Sequence, residues 1–202
     1  MPSLKNRILP RLALPRRLAR CRKGSVLMEV VLTLPLILIL FGGGFEVSRF
    51  ALLQMKVSRS ATTMADLVAQ NVTSVTSAQV ESFRQAIPHI GSPFVMDDSN
   101  TQIIVTAVKA NAADVSKVCW QVSTMADLGE SSRIGAHNAT ASLPDDITLK
   151  NGDTAIIAEI YYAYEPTVFT GFVDSRILYN VAIYRPRLAT LETLLPAGTT
   201  CS

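Results

Sequence analysis

From Ser25 to Phe45 the chain runs 21 residues with a single charge, Glu29, and this run limits the possible folds more than any other part of the sequence. A helix rising about 1.5 Å per residue would carry it across the roughly 30 Å hydrocarbon core of a bilayer. Pro35 lies in its first half, a position membrane helices tolerate because neighbouring groups can satisfy the carbonyl that loses its N–H partner. Composition points the same way: 49% of the 202 residues are hydrophobic and only 17% charged, which is apolar for a soluble domain.

Charge on either side of the run sets an orientation. Residues 1–24 carry Lys5, Arg7, Arg11, Arg16, Arg17, Arg20, Arg22 and Lys23 with no acid, whereas the twenty residues after Phe45 carry only Arg49, Lys56 and Arg59 as basic groups. Positive charge is retained in the cytoplasm, so the amino terminus stays inside and the remainder is exported. Eight basic residues could instead form a nucleic-acid arm, but beside an apolar span topology explains them better, and no nucleic-acid partner is expected. The overall formal charge of +3 hides this division, because residues 25–202 hold 11 basic and 16 acidic groups.

Three readings of the run compete. A secretory signal would use residues 1–24 as the basic region, Val30–Phe41 as the apolar region and Gly42–Gly44 before a cut, but an A-x-A-like site is missing and Glu29 interrupts the pattern. A plain signal anchor would make Glu29 an incidental charge near the interface. In the third, Gly24 and Glu29 belong together.

The third reading rests on a motif. Lys23-Gly24 is followed by Ser25-Val26-Leu27-Met28-Glu29, and this arrangement resembles a type IV prepilin: a basic leader ending in glycine, then an apolar helix whose fifth residue is glutamate. The longer stretch RKGSVLMEVVLTLPLILILFGGGFEVSRF is similar to the TadE-like family of tight-adherence pilus assembly proteins in its glycine, its glutamate, its LPL step and its glycine-rich exit toward an acidic residue. Similarity is strong over residues 22 to about 70 and weaker beyond, where YYAYEP and Arg185-Pro186-Arg187 carry it. Val30 departs from the family, which usually has an aromatic residue there.

The resemblance implies a minor pilin or pseudopilin. A prepilin peptidase of the bacterial inner membrane would cut after Gly24 and leave Ser25 as the new amino terminus, and the partners would be other pilin or pseudopilin subunits, the inner-membrane pilus assembly platform and membrane lipid. Glu29 then has a physical reason. A carboxylate in hydrocarbon needs a partner, and cleavage creates one in the Ser25 α-amino group, either about one turn away on the same helix or on a staggered neighbour. The charge becomes a register device that assembly neutralises.

Beyond the span the pattern stays helical through Ala69, with Phe50, Leu53, Val57, Met64 and Val68 on one side. Met64 and Val68 are expected in a core, Phe50 and Leu53 at a subunit contact. Thr76 with Gln79 forms a capping box for a helix over Ser77–Ala86 that Ile87-Pro88 would end. After Pro93 the period becomes two. Thr101–Val108 and Val115–Ser123 read as strands, the second with Val118, Trp120 and Val122 on one face. A second pair is expected across Asn151-Gly152, with Thr154–Tyr164 its strongest member, and Ile177–Tyr184 completes a sheet of four or five antiparallel strands. Residues 124–146 read as a long loop.

The expected fold is therefore α+β: a leader over residues 1–24, a transmembrane helix over 25–45, an exported helical stalk and second helix over 46–92, and a small antiparallel sheet head over 93–202. Cys21 would leave with the leader. Cys119, in a strand, and Cys201, near the carboxyl end, are expected to form a disulfide in the oxidising compartment, the alternative being two independent thiols with one frayed at the terminus.

Catalytic chemistry has little support. His89 and His137 are the two histidines; neither sits at metal-ligand spacing, and no nucleophile elbow or phosphate-binding loop occurs. No enzyme activity, cofactor or metal is expected. Asp97-Asp98 and the group Asp145, Asp146, Asn151 and Asp153 offer oxygen ligands to calcium, but turn chemistry explains the same residues. Two functions compete: a structural subunit of a pilus, and a membrane-tethered or secreted binding module that does not polymerise. The amino terminus of the mature protein separates them.

Overall fold

The computed structural model describes residues 22–72, 74–125, 128–144, 147–167, 173–188 and 190–195. The chain divides into two units, Met1–Phe45 and Glu46–Ser202. In chain order the elements are helix α1 (Arg22–Ala69), strand β1 (Val75–Thr76), helices α2 (Ser77–Arg84) and α3 (Ile87–Gly91), strands β2 (Thr101–Ala110), β3 (Ser116–Met125), β4 (Thr154–Tyr164) and β5 (Arg176–Tyr184), and strand β6 (Leu194–Leu195). The layout is α+β and pilin-like, with a long amino-terminal apolar helix and a four-stranded antiparallel sheet.

In the first unit the apolar side chains of α1 stand uncovered, from 45% exposed at Ile37 to 77% at Phe41. In the second unit α1 changes character, and Leu53, Val57, Ala61, Met64, Ala65 and Val68 are almost fully buried. Their three- and four-residue spacing draws one stripe along the helix, and that stripe meets the sheet.

The sheet order is β3-β2-β4-β5, every neighbour antiparallel. Its helix-facing side carries Ile103, Val105, Ala107, Trp120, Ile156, Ala158, Ile160, Leu178 and Ala182, which form one core with α1. The opposite side carries Val108, Val118, Ala155 and Ile157 and is closed by Ile134 and Leu149 from the connection between β3 and β4. Because the sheet is covered on both faces, β2 and β4 are buried nearly throughout, polar residues included.

Several expectations change here. The capping box is present, with Thr76 Oγ1 accepting from the Gln79 amide at 3.0 Å and Gln79 Oε1 accepting from the Thr76 amide at 2.9 Å. Pro88, however, does not end helical structure. Helix α2 stops at Arg84, and Pro88 stands in the first turn of α3, where its missing N–H has no partner to lose.

Strands β2 and β3 run further than alternation suggested, to Ala110 and Met125, so β3 takes in the first residues of the expected 124–146 loop. Val118 does not share a face with Trp120 and Val122. Ala107 pairs with Trp120 and Val108 with Val118, which leaves Cys119 as the extra residue of a β-bulge and turns Val118 to the other side of the sheet. Nor is Asn151-Gly152 a hairpin. Gly152 has φ +84 and the segment is a turn, but β4 pairs with β2 and β5, and no strand precedes it within 147–153. Parallel pairing of β1 with β6 had no signal in the sequence, since two-residue strands show no period.

Candidate functional site

Gly24, Ser25 and Glu29 all lie on α1 in the first unit. Gly24 is already helical, and a Cβ built there would meet nothing within 4 Å. Glu29 is exposed one turn after Ser25, and its backbone carbonyl accepts the Thr33 hydroxyl at 2.8 Å. Apart from Ser25 and Thr33 the surrounding surface is apolar: Val26, Leu27, Met28, Val30 and Leu32 are each more than half exposed. One carboxylate among uncovered aliphatic side chains makes this helix a surface for another apolar phase, whether lipid or other helices.

The second unit opens on a different glutamate. Glu46 is fully buried. Its Oε1 accepts the Tyr164 hydroxyl at 2.5 Å and the Thr167 amide at 3.2 Å, and the Arg49 guanidinium stands 3.6 Å away and donates to the Thr167 hydroxyl. Burial, together with the hydrogen bond to the Glu46 carboxylate and its charge, pushes the Tyr164 phenol up to about 12. Phe50 lies edge-on to Tyr164 at 5.2 Å, with the Arg176 guanidinium 5.7 Å from its ring. Of the two residues expected at a subunit contact, Leu53 is instead committed inside the head at 1% exposed, while Phe50 is half-buried against the same core. The helix turns these residues inward because they continue the Val57–Met64 stripe.

A second buried carboxylate, Glu159 on β4, fastens the connection that covers the far face of the sheet. It accepts the Ser132 hydroxyl, the Arg133 amide at 2.9 Å and the hydroxyls of Tyr179 at 3.1 Å and Tyr161 at 3.3 Å. Burial first, and then the Glu159 charge, raises the Tyr161 phenol to about 12 and the Tyr179 phenol further. The Arg133 guanidinium closes the cluster 4.0 Å from the centre of the Tyr179 ring. The burial of neither glutamate is written in the sequence, where Glu46 shows only as the acidic residue after the glycine-rich exit. Each occupies one position in an otherwise apolar or aromatic stretch, and its partners come from far along the chain.

Cys119 is fully buried at the bulge, while Cys201 lies outside the described residues. The oxygen-rich groups serve turns. Asp97 accepts the Ser99 amide and hydroxyl, with its carboxyl held below the usual range by them. Asp98 pairs with Arg84, Asp153 accepts the Lys150 amide, and the Asn151 amide donates to Asp114. Asp145 and Asp146 lie outside the described residues. His89 and His137 are exposed.

No curated protein and no solved structure matches the chain. A family model does: the uncovered apolar helix with Gly24 and Glu29, together with the first buried turns after Glu46, is the TadE-like part of this chain, which matches the model of the TadE-like protein over residues 24–66.

Proposed function

We propose that the protein is a minor pilin or pseudopilin that assembles into, initiates or caps a tight-adherence pilus. The observation that carries this reading is the TadE-like match over residues 24–66, because its first half falls on a helix stretch whose apolar side chains stand exposed. Such a helix must find lipid or other helices, and a pilus supplies first one and then the other.

In this reading prepilin peptidase removes residues 1–24 by cutting after Gly24, and the Ser25 amine becomes the partner of Glu29 during assembly. Residues 25–45 cross the inner membrane with the amino terminus in the cytoplasm, and residues from 46 onward fold outside it. The role is structural rather than enzymatic. Its partners are other pilin or pseudopilin subunits and the assembly platform of the inner membrane. A disulfide between Cys119 and Cys201 ties down the carboxyl-terminal tail; in support, Cys119 is buried and its sulfur is bonded rather than a titrating thiol.

Mass spectrometry of the protein purified from its native host tests the reading. The mature chain is expected to begin at Ser25. An intact Met1 would point to a tethered module that does not polymerise, and a start near Phe45 to a secreted one.

A further inference from the structure

At the end of the sheet where β4 reaches α1, a pocket of about 570 Å³ is lined by Arg49, Asn100, Tyr162, Glu165, Pro166 and Thr167, among others. That is the size of a small-molecule site. Bonds within the head fix its walls. The Asn100 carbonyl accepts the Ala163 amide at 2.8 Å, and the Tyr162 hydroxyl donates to the Val95 carbonyl at 3.2 Å. Arg49 stands over the Phe94 ring, 5.5 Å from its centre, and donates to the Thr167 hydroxyl.

Two opposite charges line this pocket without meeting. Arg49 has its ion pair with Glu46, at 3.6 Å, and not with Glu165. Its side chain stays 30% exposed, and a guanidinium keeps donors in its planar fork beyond those that a hydroxyl and one carboxylate oxygen take. Glu165 is exposed on the other wall and has no hydrogen-bond or ion-pair partner among the described residues. A cation and an anion held apart across one pocket suit a ligand with both charges.

Depth says where such a ligand comes from. Arg49 follows Phe45 by four residues on the continuous helix α1, about 6 Å of rise. A bilayer whose hydrocarbon core is roughly 30 Å thick measures about 40–45 Å with its headgroups, so each polar layer is about 5–7 Å deep. With residues 25–45 in the hydrocarbon, Arg49 stands at headgroup depth.

We propose that this pocket takes the phosphoethanolamine headgroup of a phospholipid, its phosphodiester on Arg49 and its primary ammonium on Glu165. Phosphate oxygens match the guanidinium fork. The ammonium follows from Glu165, because a carboxylate accepts N–H bonds, whereas a quaternary ammonium has none to give and is held by aromatic faces. Arg49 already occupies the Phe94 face. A headgroup with phosphate alone would set its anion against an unpaired acid. The inference rests on the membrane span of the proposed function and does not require assembly into a pilus.

Native mass spectrometry of the full chain released from detergent micelles tests it, with equal amounts of phosphatidylethanolamine, phosphatidylcholine and phosphatidylglycerol added. Phosphatidylethanolamine adducts are expected about tenfold above either of the others, as one charge-assisted hydrogen bond would give. Glu165→Gln, at an exposed position, should abolish that preference. Arg49→Lys keeps the charge beside Glu46 but loses the fork, and should lower the adduct severalfold. Equal adducts of all three lipids would show a nonspecific lipid shell, and a phosphatidylglycerol excess a plain anion site; either overturns the proposal. An unchanged preference in Glu165→Gln, or an unchanged adduct in Arg49→Lys, overturns the site. Soluble glycerophosphoethanolamine at the same concentration should give far less adduct than the lipid, and equal adducts would overturn the membrane source. Chains that alkaline carbonate strips from native membranes would overturn the span, whereas membrane-held chains without the preference overturn the headgroup site alone.

Discussion

Glu29 and Glu46 show what decides the fate of a carboxylate on one helix. Around Glu29 the described neighbours are mostly uncovered aliphatic side chains, with Ser25 and Thr33 one turn away on either side; around Glu46 a phenol, an amide and a guanidinium converge. Motif spacing made Glu29 legible. The burial of Glu46 was not, because Tyr164 and Thr167 stand more than a hundred residues away. A prediction follows for Glu29. Replacing it with Leu removes a charge that insertion scales put at up to about 3 kcal/mol unfavourable at the bilayer centre, so insertion should be equal or better. Incorporation should fall, because the Ser25 amine of a neighbour loses its counter-charge among apolar helices, a defect of about 3–5 kcal/mol when fully desolvated. Glu29→Leu is expected to be cleaved, to accumulate in the membrane and to be depleted from sheared filaments, with Glu29→Asp intermediate. Normal filament content at normal membrane level would make the glutamate a bystander.

At the scale of elements, the stripe along α1 and the alternation in β2 and β4 were readable because each is a local repeat that one buried surface imposes. The bulge at Cys119 was not, since an extra residue leaves no mark on composition and appears only once β2 sets the register. What joins the elements is equally nonlocal: the Glu46–Tyr164 bond ties α1 to the end of β4. Glu46→Ala strands the buried Tyr164 hydroxyl, and an unsatisfied group of this kind costs about 1–3 kcal/mol. Thermal unfolding of the detergent-solubilised full chain should show a loss of about 1–3 kcal/mol for Glu46→Ala and a smaller one for Glu46→Gln, whose amide oxygen still accepts. An unfolding temperature unchanged in Glu46→Ala would mean that the bond contributes nothing to the seat of the helix.

For the whole molecule the open question is how the tail is held. Strand β6 reaches β1 with two residues of pairing, and the Trp120 indole donates to the Leu191 carbonyl at 2.9 Å, which brings the chain back beside β3 before its last residues. A Cys119–Cys201 bridge would close a loop of about 80 residues, for which chain-entropy estimates reach roughly 4 kcal/mol. Peptide mapping without reduction should recover the two cysteines linked, and Cys201→Ser should lower the unfolding temperature of the exported head. Both thiols freely alkylated in the native protein would remove the bridge.

By itself the sequence determined whatever depends on neighbours along the chain: the apolar span, the charge asymmetry across it, the capping box at Thr76, the buried stripe from Val57 to Val68 and the strands with strong alternation. Each is written in a few consecutive residues, since helix and strand periodicity and cap chemistry act over a turn or two. Only the tertiary structure decided the strand order β3-β2-β4-β5, the turning of Val118 away from Trp120, the inward commitment of Leu53, and the two buried glutamates with their tyrosines. Those features are contacts between residues far apart in the chain. A buried carboxylate or a strand edge takes its meaning from what folding brings beside it, and no local pattern carries that information.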